Sequence, residues 1–286
     1  MNTDPNRSRA ARESAERALV QVVHEYGKRP EFVVLGGLVP ELLCSASDMQ
    51  HAGTTDIDVQ VNLEIVGGSV NAARLEQALL AAGFTVDPER KWRWVATTIG
   101  LRTEVKFELL ADLDNQPGHA TISFDGCEKL GAANLRGTGF AADDVASRDL
   151  TAEVGGTEVT VEVYFTGLAG FLLAKAAAAR SRNAPKDWYD IAFVLLHNDE
   201  GGLQGAIDAV RGRFGSRLAG VRTELAELAA NFADRGAQGV QAYAEQIVLN
   251  NTGVDHEEVL TEAMVAVEGF CRGVSGTAHY QPQNPP

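Results

Sequence analysis

The chain has 286 residues, of which 45% are hydrophobic and 22% are charged, and its formal net charge is −14. These values are typical of a globular protein with one large or two modest domains. The acidic balance argues against a protein that coats nucleic acid through a broad basic surface. The three cysteines lie far apart and predict neither a disulfide framework nor a zinc site. The amino terminus has no apolar core of a signal peptide, and no apolar stretch is long enough to cross a bilayer, so a cytoplasmic protein without membrane contact is expected.

The first third of the chain alternates helical and strand patterns. Apolar residues at helical spacing predict an amphipathic helix over Ser8 to Tyr26. A short β-rich run, Glu31 to Leu35, ends in a glycine pair and is followed by a predicted helix, Val39 to Ser45. Thr55 to Leu63 alternates apolar and polar residues, which predicts a strand with one buried face.

The middle of the chain carries further strands. A helix is predicted over Asn71 to Ala82, followed by strands over Lys91 to Ile99 and Thr103 to Leu110. A loop-rich stretch with scattered short strands follows. Leu150 to Phe165 is predicted to form a hairpin about Gly155-Gly156, with its valines directed inward.

Strand patterns stop near Thr166, and helices follow. They begin with Leu168 to Arg182 and Asp187 to His197 and continue to about Cys271, before a polar, proline-rich tail. The sequence therefore predicts an α+β protein. We expect an α/β domain with a mixed sheet over residues 1–166, a helical bundle over 167–275, and a disordered tail over 276–286.

Two aspartates carry the most informative chemistry. Asp56 and Asp58 lie at positions i and i+2 of the predicted strand, so both side chains point to one face, with their α-carbons about 6.5–7 Å apart. Transfer of a phosphoryl group consists mostly of positioning and of charge neutralisation by hard divalent cations held on oxygen ligands. The pair therefore predicts a site for Mg²⁺ or Mn²⁺ and a nucleoside triphosphate (NTP).

A glycine pair precedes this strand. Gly36 and Gly37 lie between a predicted strand and a predicted helix, where backbone amides without side chains can approach a phosphate. Two-metal sites commonly take a third carboxylate, and the next strand offers Glu108, with Lys106 as a neighbour of phosphate. Glu104 and Asp112 are the alternatives to Glu108 as third ligand.

A second charged cluster lies on the predicted helices after residue 166. Lys175 and Arg182 are seven residues apart and share a helix face, as do Asp187 and Asp190, and Lys186 is expected to pair with Asp190 at i,i+4. Each feature has an ordinary alternative. Lys175 could cover an alanine-rich surface with its aliphatic stem, and Asp187 could be a helix N-cap.

Two further features favour ordinary structure. Lys91-Trp92-Arg93-Trp94 interleaves cations with aromatic rings, and we interpret it as a strand with tryptophan directed inward and charge outward rather than as a nucleic-acid contact. His51 lies close before the aspartate strand, and we expect it to be a solvated loop residue.

The order of these motifs resembles a known family. Gly-Gly, then Asp-Ile-Asp, then Lys-Phe-Glu, then a helix with Lys-Ala-Ala-Ala-Ala-Arg followed by Lys-Asp-Trp-Tyr-Asp-Ile is similar to the AbiEii-type nucleotidyltransferases. These are toxins of bacterial toxin–antitoxin systems, including the mycobacterial MenT group, within the DNA polymerase β-like nucleotidyltransferase superfamily. The resemblance covers roughly residues 30–196. The chain departs from the family at Leu38, where serine often follows the glycine pair.

The resemblance implies a fold, an activity and roles for individual residues. It implies a nucleotidyltransferase fold for the first domain, with Asp56 and Asp58 as metal ligands and the glycine pair at phosphate. Lys175 would steady the triphosphate, and Asp187 or Asp190 would complete the site. Arg180 and Lys186 would contribute further contacts to the NTP. The acceptor would be RNA, chiefly the 3′ end of tRNA, and a cognate antitoxin would be a partner.

Other functions remain open from the sequence. The acceptor could be a small molecule of the aminoglycoside type or a protein hydroxyl, and the acidic balance suits a cationic aminoglycoside. A non-catalytic module that binds NTP is a third interpretation.

Overall fold

One mixed sheet forms the centre of the computed structural model, which describes residues 8–61, 69–97 and 104–276. The ends predicted at Leu63, Ile99 and Thr103, and the tail from residue 277, lie outside the described residues. Within them, the strands are β1 (Phe32–Leu35), β2 (Asp56–Val61), β3 (Thr85–Asp87), β4 (Arg90–Thr97), β5 (Glu104–Ala111), β6 (Thr121–Ser123), β7 (Gly131–Asn134), β8 (Val145–Val154) and β9 (Thr157–Thr166).

Helices precede, interrupt and follow the sheet, so the predicted α+β class is confirmed. They are α1 (Arg9–Tyr26), α2 (Pro40–Leu43), α3 (Ser69–Ala81), α4 (Leu168–Arg182), α5 (Pro185–His197), α6 (Gly202–Phe214), α7 (Arg222–Ala230), α8 (Gln238–Asn250) and α9 (His256–Ser275), with 3₁₀ turns at Thr138–Ala141 and Gly215–Val221. None of the helices in the described ranges combines the length and the apolar character needed to cross a membrane.

The strand order places β2 at the middle of the sheet. The order is β3-β4-β5-β2-β1-β9-β8, with β7 pairing with β5 and β6 pairing with β7. The β2–β5 and β1–β9 pairs are parallel, whereas β1–β2, β4–β5 and β8–β9 are antiparallel. The register sets Asp58 opposite Glu108 and Asp56 opposite Lys106. Neighbouring strands therefore present these side chains on one face.

The other face of β2 is apolar and anchors the strand. Ile57, Val59 and Phe107 are fully buried in the core. That core is one continuous cluster, which extends from Ala15 in α1 to Val274 in α9. Strands end at Thr166 and helices begin at Leu168, while the division into two domains stays a prediction.

Two local predictions differ from the structure in extent. The hairpin begins at Val145 rather than Leu150. The sequence pattern missed the first residues of β8 because they are exposed and do not alternate between apolar and polar. Its turn is the predicted Gly155-Gly156, both at positive φ, as a two-residue hairpin requires. Helix α2 has four residues rather than seven, so its dipole adds little positive character beside the glycine pair.

A buried histidine couples the stability of the helical region to pH. His197 Nε2 lies 2.9 Å from the Tyr243 hydroxyl, and burial lowers the pKa of His197 from 6.5 to about 4. As the pH falls from 6.5 toward 4, His197 becomes protonated in the unfolded chain but stays neutral in the folded chain. Stability is therefore complete above this window and is lost as the pH falls through it.

Because of His197, we expect the free energy of unfolding to fall by about 2 kcal/mol between pH 7 and pH 5. Urea denaturation at the two pH values measures it. The His197→Gln variant should lose that much less than the wild type. The exposed His256→Gln variant should keep the wild-type dependence. An unchanged pH dependence in His197→Gln would contradict the prediction.

Candidate active site

The two aspartates of β2 line a small cavity between the sheet and the helices. The cavity has a volume of about 210 Å³. Its lining combines the aspartate strand, the glycine loop and residues from α4 and α5, namely Gly37, Gly53, Thr54, Thr55, Asp56, Asp58, Lys106, Lys175, Lys186 and Asp190. The structure thus brings together seven of the residues predicted from the sequence, although α5 lies about 130 residues from β2 along the chain.

Asp56 is held by two lysines that reach into this cavity. Lys186 Nζ lies 2.6 Å from Asp56 Oδ2, and Lys106 Nζ lies 3.6 Å from Asp56 Oδ1. Burial raises the pKa of Asp56, but the charge of Lys186 and then those of Lys106 and Arg93 outweigh it, so the pKa is lowered. Asp56 is therefore ionised at neutral pH, and two partly exposed ammonium groups stand beside it.

The predicted pair between Lys186 and Asp190 is replaced by this contact. The side chain of Lys186 extends from α5 to strand β2, where its ammonium group lies 2.6 Å from Asp56 Oδ2. The carboxylate of Asp190 is taken instead by Lys175, at 2.7 Å, and by His51, at 3.0 Å. The i,i+4 spacing predicted a local pair where tertiary structure supplies distant partners.

Asp58 and Glu108 form a buried acidic pair on adjacent strands. Burial, followed by the charge of Asp56, raises the pKa of Asp58 against the opposing charges of Arg182 and Lys186. Burial and then the charge of Asp58 raise the pKa of Glu108, whose carboxylate lies 2.7 Å from Arg93. Burial is the largest cause of both raised pKa values, and the acidic neighbours of each carboxyl group add to it.

The donor set fits a hard divalent cation. Asp56 Oδ1 is buried without a hydrogen-bond partner, and Asp58 lies on the same face of β2, opposite Glu108 on β5. All of these donors are carboxylate oxygens, the ligands that Mg²⁺ and Mn²⁺ take. Across the described part of the chain, no three or more His, Cys, Asp or Glu residues are already gathered as a metal cluster. Asp56 and Asp58 line the cavity, whereas Glu108 stays a predicted third ligand.

The glycine pair allows the backbone to lie directly against the site. A β-carbon on Gly36 would collide with Asp58 Oδ2, and one on Gly37 would meet Thr54 at 2.7 Å. Gly36 also has a φ of +84°. The structure therefore explains Gly36 by the packing of the Asp58 carboxylate, and contact of this pair with phosphate stays a prediction.

We expect Gly36→Ala to displace the Asp58 carboxylate. The strained φ and the collision together should remove about 1–3 kcal/mol of unfolding free energy. Gly27→Ala is the matched control, because Gly27 has a φ of +78° and nothing within 4 Å of an added β-carbon. Urea denaturation and Mn²⁺ binding compare the two variants. Equal stability and equal Mn²⁺ affinity in both would refute this account of Gly36.

Lys175 lies at the buried side of the cavity within a network of alternating charges. Its Nζ lies 3.0 Å from Asp187 and 2.7 Å from Asp190, and Arg182 lies 3.1 Å from Asp187. Burial disfavours the charge on Lys175, but Asp190 and Asp187 outweigh it and raise its pKa. Lys175 is 5% exposed, so the surface-lysine alternative is wrong. Asp187 is not an N-cap either, because Ala184 holds that position of α5.

His51 belongs to the same network, contrary to the expectation of a solvated loop residue. Its ring is buried and stacks on Tyr189 at a centroid distance of 5.1 Å. The next residue, Ala52, donates its amide to the Tyr189 hydroxyl at 2.9 Å. The loop before β2 is therefore packed against α5 and hydrogen-bonded to it. A lone loop histidine offered no signal in the sequence, because its partner Asp190 is 139 residues away.

Two arginines to which the sequence analysis gave no role in the site also reach this region. Arg182 lies beside Asp187, and its pKa is raised because the charges of Asp187 and Asp58 outweigh burial. Arg93 binds Glu108, while Trp94 is fully buried on the opposite face of β4. The predicted alternation of tryptophan inward and charge outward is confirmed for Trp94, but the outward face of Arg93 is the face of the site.

Arg180 is not brought to the cavity. It lies two residues before Arg182, about 200° around the helix, and pairs with Glu224 at 2.9 Å. It lines a separate and larger cleft.

Comparisons with known proteins give no family for this chain. No protein-family model and no curated protein matches it. Among solved structures it is similar to the STING-associated CdnE c-di-GMP synthase from Capnocytophaga granulosa, at 11% identity over 94% of this chain and 84% of that chain. The TM-score of that superposition is 0.27, which is too low to support an assignment of fold or activity. A function for this chain must therefore be inferred from the geometry of the cavity around Asp56 and Asp58.

Proposed function

We propose that the protein is a metal-dependent nucleotidyltransferase that moves a nucleoside monophosphate from an NTP to an acceptor hydroxyl. One observation carries the proposal. Asp56 and Asp58 share one face of a central strand and line a cavity that two partly exposed lysines also enter. Carboxylates beside accessible ammonium groups provide for both a divalent cation and a polyphosphate.

Each side chain of the cavity has a separate task in this proposal. Asp56 and Asp58 would hold the cation, which neutralises charge on the triphosphate and lowers the pKa of the attacking hydroxyl. Lys186 and Lys106, whose ammonium groups lie beside Asp56 in the structure, would bind phosphate oxygens of the triphosphate. Both side chains are 30% or more exposed, so a triphosphate can reach them.

The buried network supports these groups. Lys175 and Arg182 face Asp187, and Lys175 also faces Asp190, so α4 and α5 are fixed relative to each other beneath Lys186. We propose that Lys175 orients the site through these two carboxylates. Steadying of the triphosphate by Lys175, as the AbiEii resemblance implies, would require it to leave a buried position with two partners.

The acceptor and the physiological role extend the proposal further. The resemblance of the motifs to AbiEii-type enzymes favours RNA, chiefly the tRNA 3′ end, as acceptor, and a toxin role with an antitoxin partner. An aminoglycoside or a protein hydroxyl is the rival acceptor.

Transfer of label tests the activity and the acceptor together. The protein is incubated with each α-labelled NTP and Mg²⁺ or Mn²⁺, with total RNA, kanamycin or total protein as acceptor. Label in RNA, dependent on the divalent cation, is the expected result. Label in kanamycin alone would replace the RNA acceptor. Tight NTP binding without transfer to any acceptor would identify a non-catalytic NTP-binding module and reject the enzyme.

A further inference from the structure

A second cleft, far larger than the aspartate cavity, lies beyond the carboxyl ends of β2 and β5. Its volume is about 1080 Å³. Its lining includes the end of β2, the loop after β5, the exposed side of α4 and the start of α7. None of the residues that line the aspartate cavity lines this cleft. A cleft of this size can enclose a ligand as large as a nucleotide.

The cleft begins two residues along β2 from Asp58 of the proposed reaction centre. Gln60 lines it and lies two residues after Asp58 on β2, so both side chains point to the same face, about 6.5–7 Å apart at their α-carbons. Helix α4 borders both the aspartate cavity and the cleft, because Lys175 lines the former while Ala177 and Ser181 line the latter. A ligand in the cleft would therefore lie next to a nucleotide at Asp58.

Two buried acceptor atoms in the lining have no partner. Gln60 is 4% exposed, and its Oε1 atom is buried without a hydrogen bond. Glu224 Oε2 is likewise buried and unpartnered, although Glu224 Oε1 accepts from Arg180 at 2.9 Å. A buried acceptor without a donor is costly and uncommon in proteins. Both residues line the cleft, and N–H donors of a ligand are the partners that these two oxygens lack.

The charges in the cleft select the class of ligand. Asp114 pairs with Arg136, Asp143 pairs with Arg217, and Asp112 accepts the amides of Gly137 and Gly139. These three carboxylates are thus already engaged, and Arg180 compensates the charge of Glu224, so a polycation would find little uncompensated charge. A neutral ring that bears an amino group fits better, because it offers N–H donors without requiring free carboxylates.

We propose that this cleft is a nucleobase site that selects bases bearing an amino group, with Gln60 Oε1 and Glu224 Oε2 as its acceptors. Its role as the site of the acceptor nucleotide rests on the proposed nucleotidyl transfer. The base-binding site itself does not depend on that activity.

Ligand-observed NMR titration with AMP, CMP, GMP, UMP and kanamycin tests the site. The titrations are made with and without Mg²⁺ and an NTP analogue that cannot be cleaved at the α-phosphate. We expect at least one amino-bearing monophosphate to bind tenfold or more tightly than UMP. Gln60→Met and Glu224→Gln should each weaken that binding tenfold or more. Glu227→Gln, an exposed change on the same helix, should leave it unaltered.

Several outcomes would overturn the proposal. They are no binding of any monophosphate, wild-type affinity in both cleft variants, binding of kanamycin alone, or loss of monophosphate binding when the NTP analogue is present. The last would make the cleft part of the NTP site. Base binding that depends on Gln60 and Glu224 without nucleotidyl transfer would reject the proposed function and keep the base site. Nucleotidyl transfer together with unaltered monophosphate binding in both cleft variants would keep the proposed function and reject the base site.

Discussion

The Asp58→Asn variant should lose nucleotidyl transfer by about a thousandfold or more while keeping its fold. The carboxamide keeps the shape of the side chain against Gly36 but removes the negative charge that a divalent cation needs. Burial and the charge of Asp56 raise the pKa of Asp58, so its surroundings disfavour a negative charge on this side chain. Replacing it should therefore change the free energy of unfolding by less than about 1 kcal/mol.

Two measurements separate loss of chemistry from loss of structure in this variant. Label transfer from the α-labelled NTP reports activity, and urea denaturation reports stability. Asp149→Asn is the control, since Asp149 is an exposed aspartate on β8. Transfer by Asp58→Asn within tenfold of the wild type would remove Asp58 from the active site.

The Lys175→Met variant should be the most strongly destabilised single substitution in the site. Its ammonium lies between Asp187 and Asp190, which are 0% and 2% exposed. Removing one member of a buried ion network leaves uncompensated buried charge, which costs about 3–5 kcal/mol. Adding Asp187→Asn and Asp190→Asn to this variant should restore part of the loss, because the buried negative charges go with their partner.

The contrasting variant is Lys186→Met. The side chain of Lys186 is 42% exposed, so its ion pair with Asp56 is screened by water and its loss should cost no more than about 1 kcal/mol. Urea denaturation compares the two lysine variants. Equal destabilisation would show that burial does not distinguish the two lysines and would refute the network as the support of the site.

Local sequence patterns determined the elements that carry the site. The two-residue period of Asp56–Val61 put both aspartates on one face, and the predicted helix Leu168–Arg182 has the same limits in the structure. The seven-residue spacing of Lys175 and Arg182 also holds, since both contact Asp187. These features depend on side-chain direction within one strand or helix, which the backbone period fixes without reference to the rest of the chain.

Tertiary structure decided which charges meet. Lys186 bonds to Asp56 across 130 residues, and His51 bonds to Asp190 across 139. No local period encodes such distances. Burial makes Lys175 part of an ion network rather than a surface lysine, and the nearby strand β2 gives Lys186 a partner outside its own helix. The large cleft with its two unpartnered oxygens likewise exists only where β2, α4 and α7 come together.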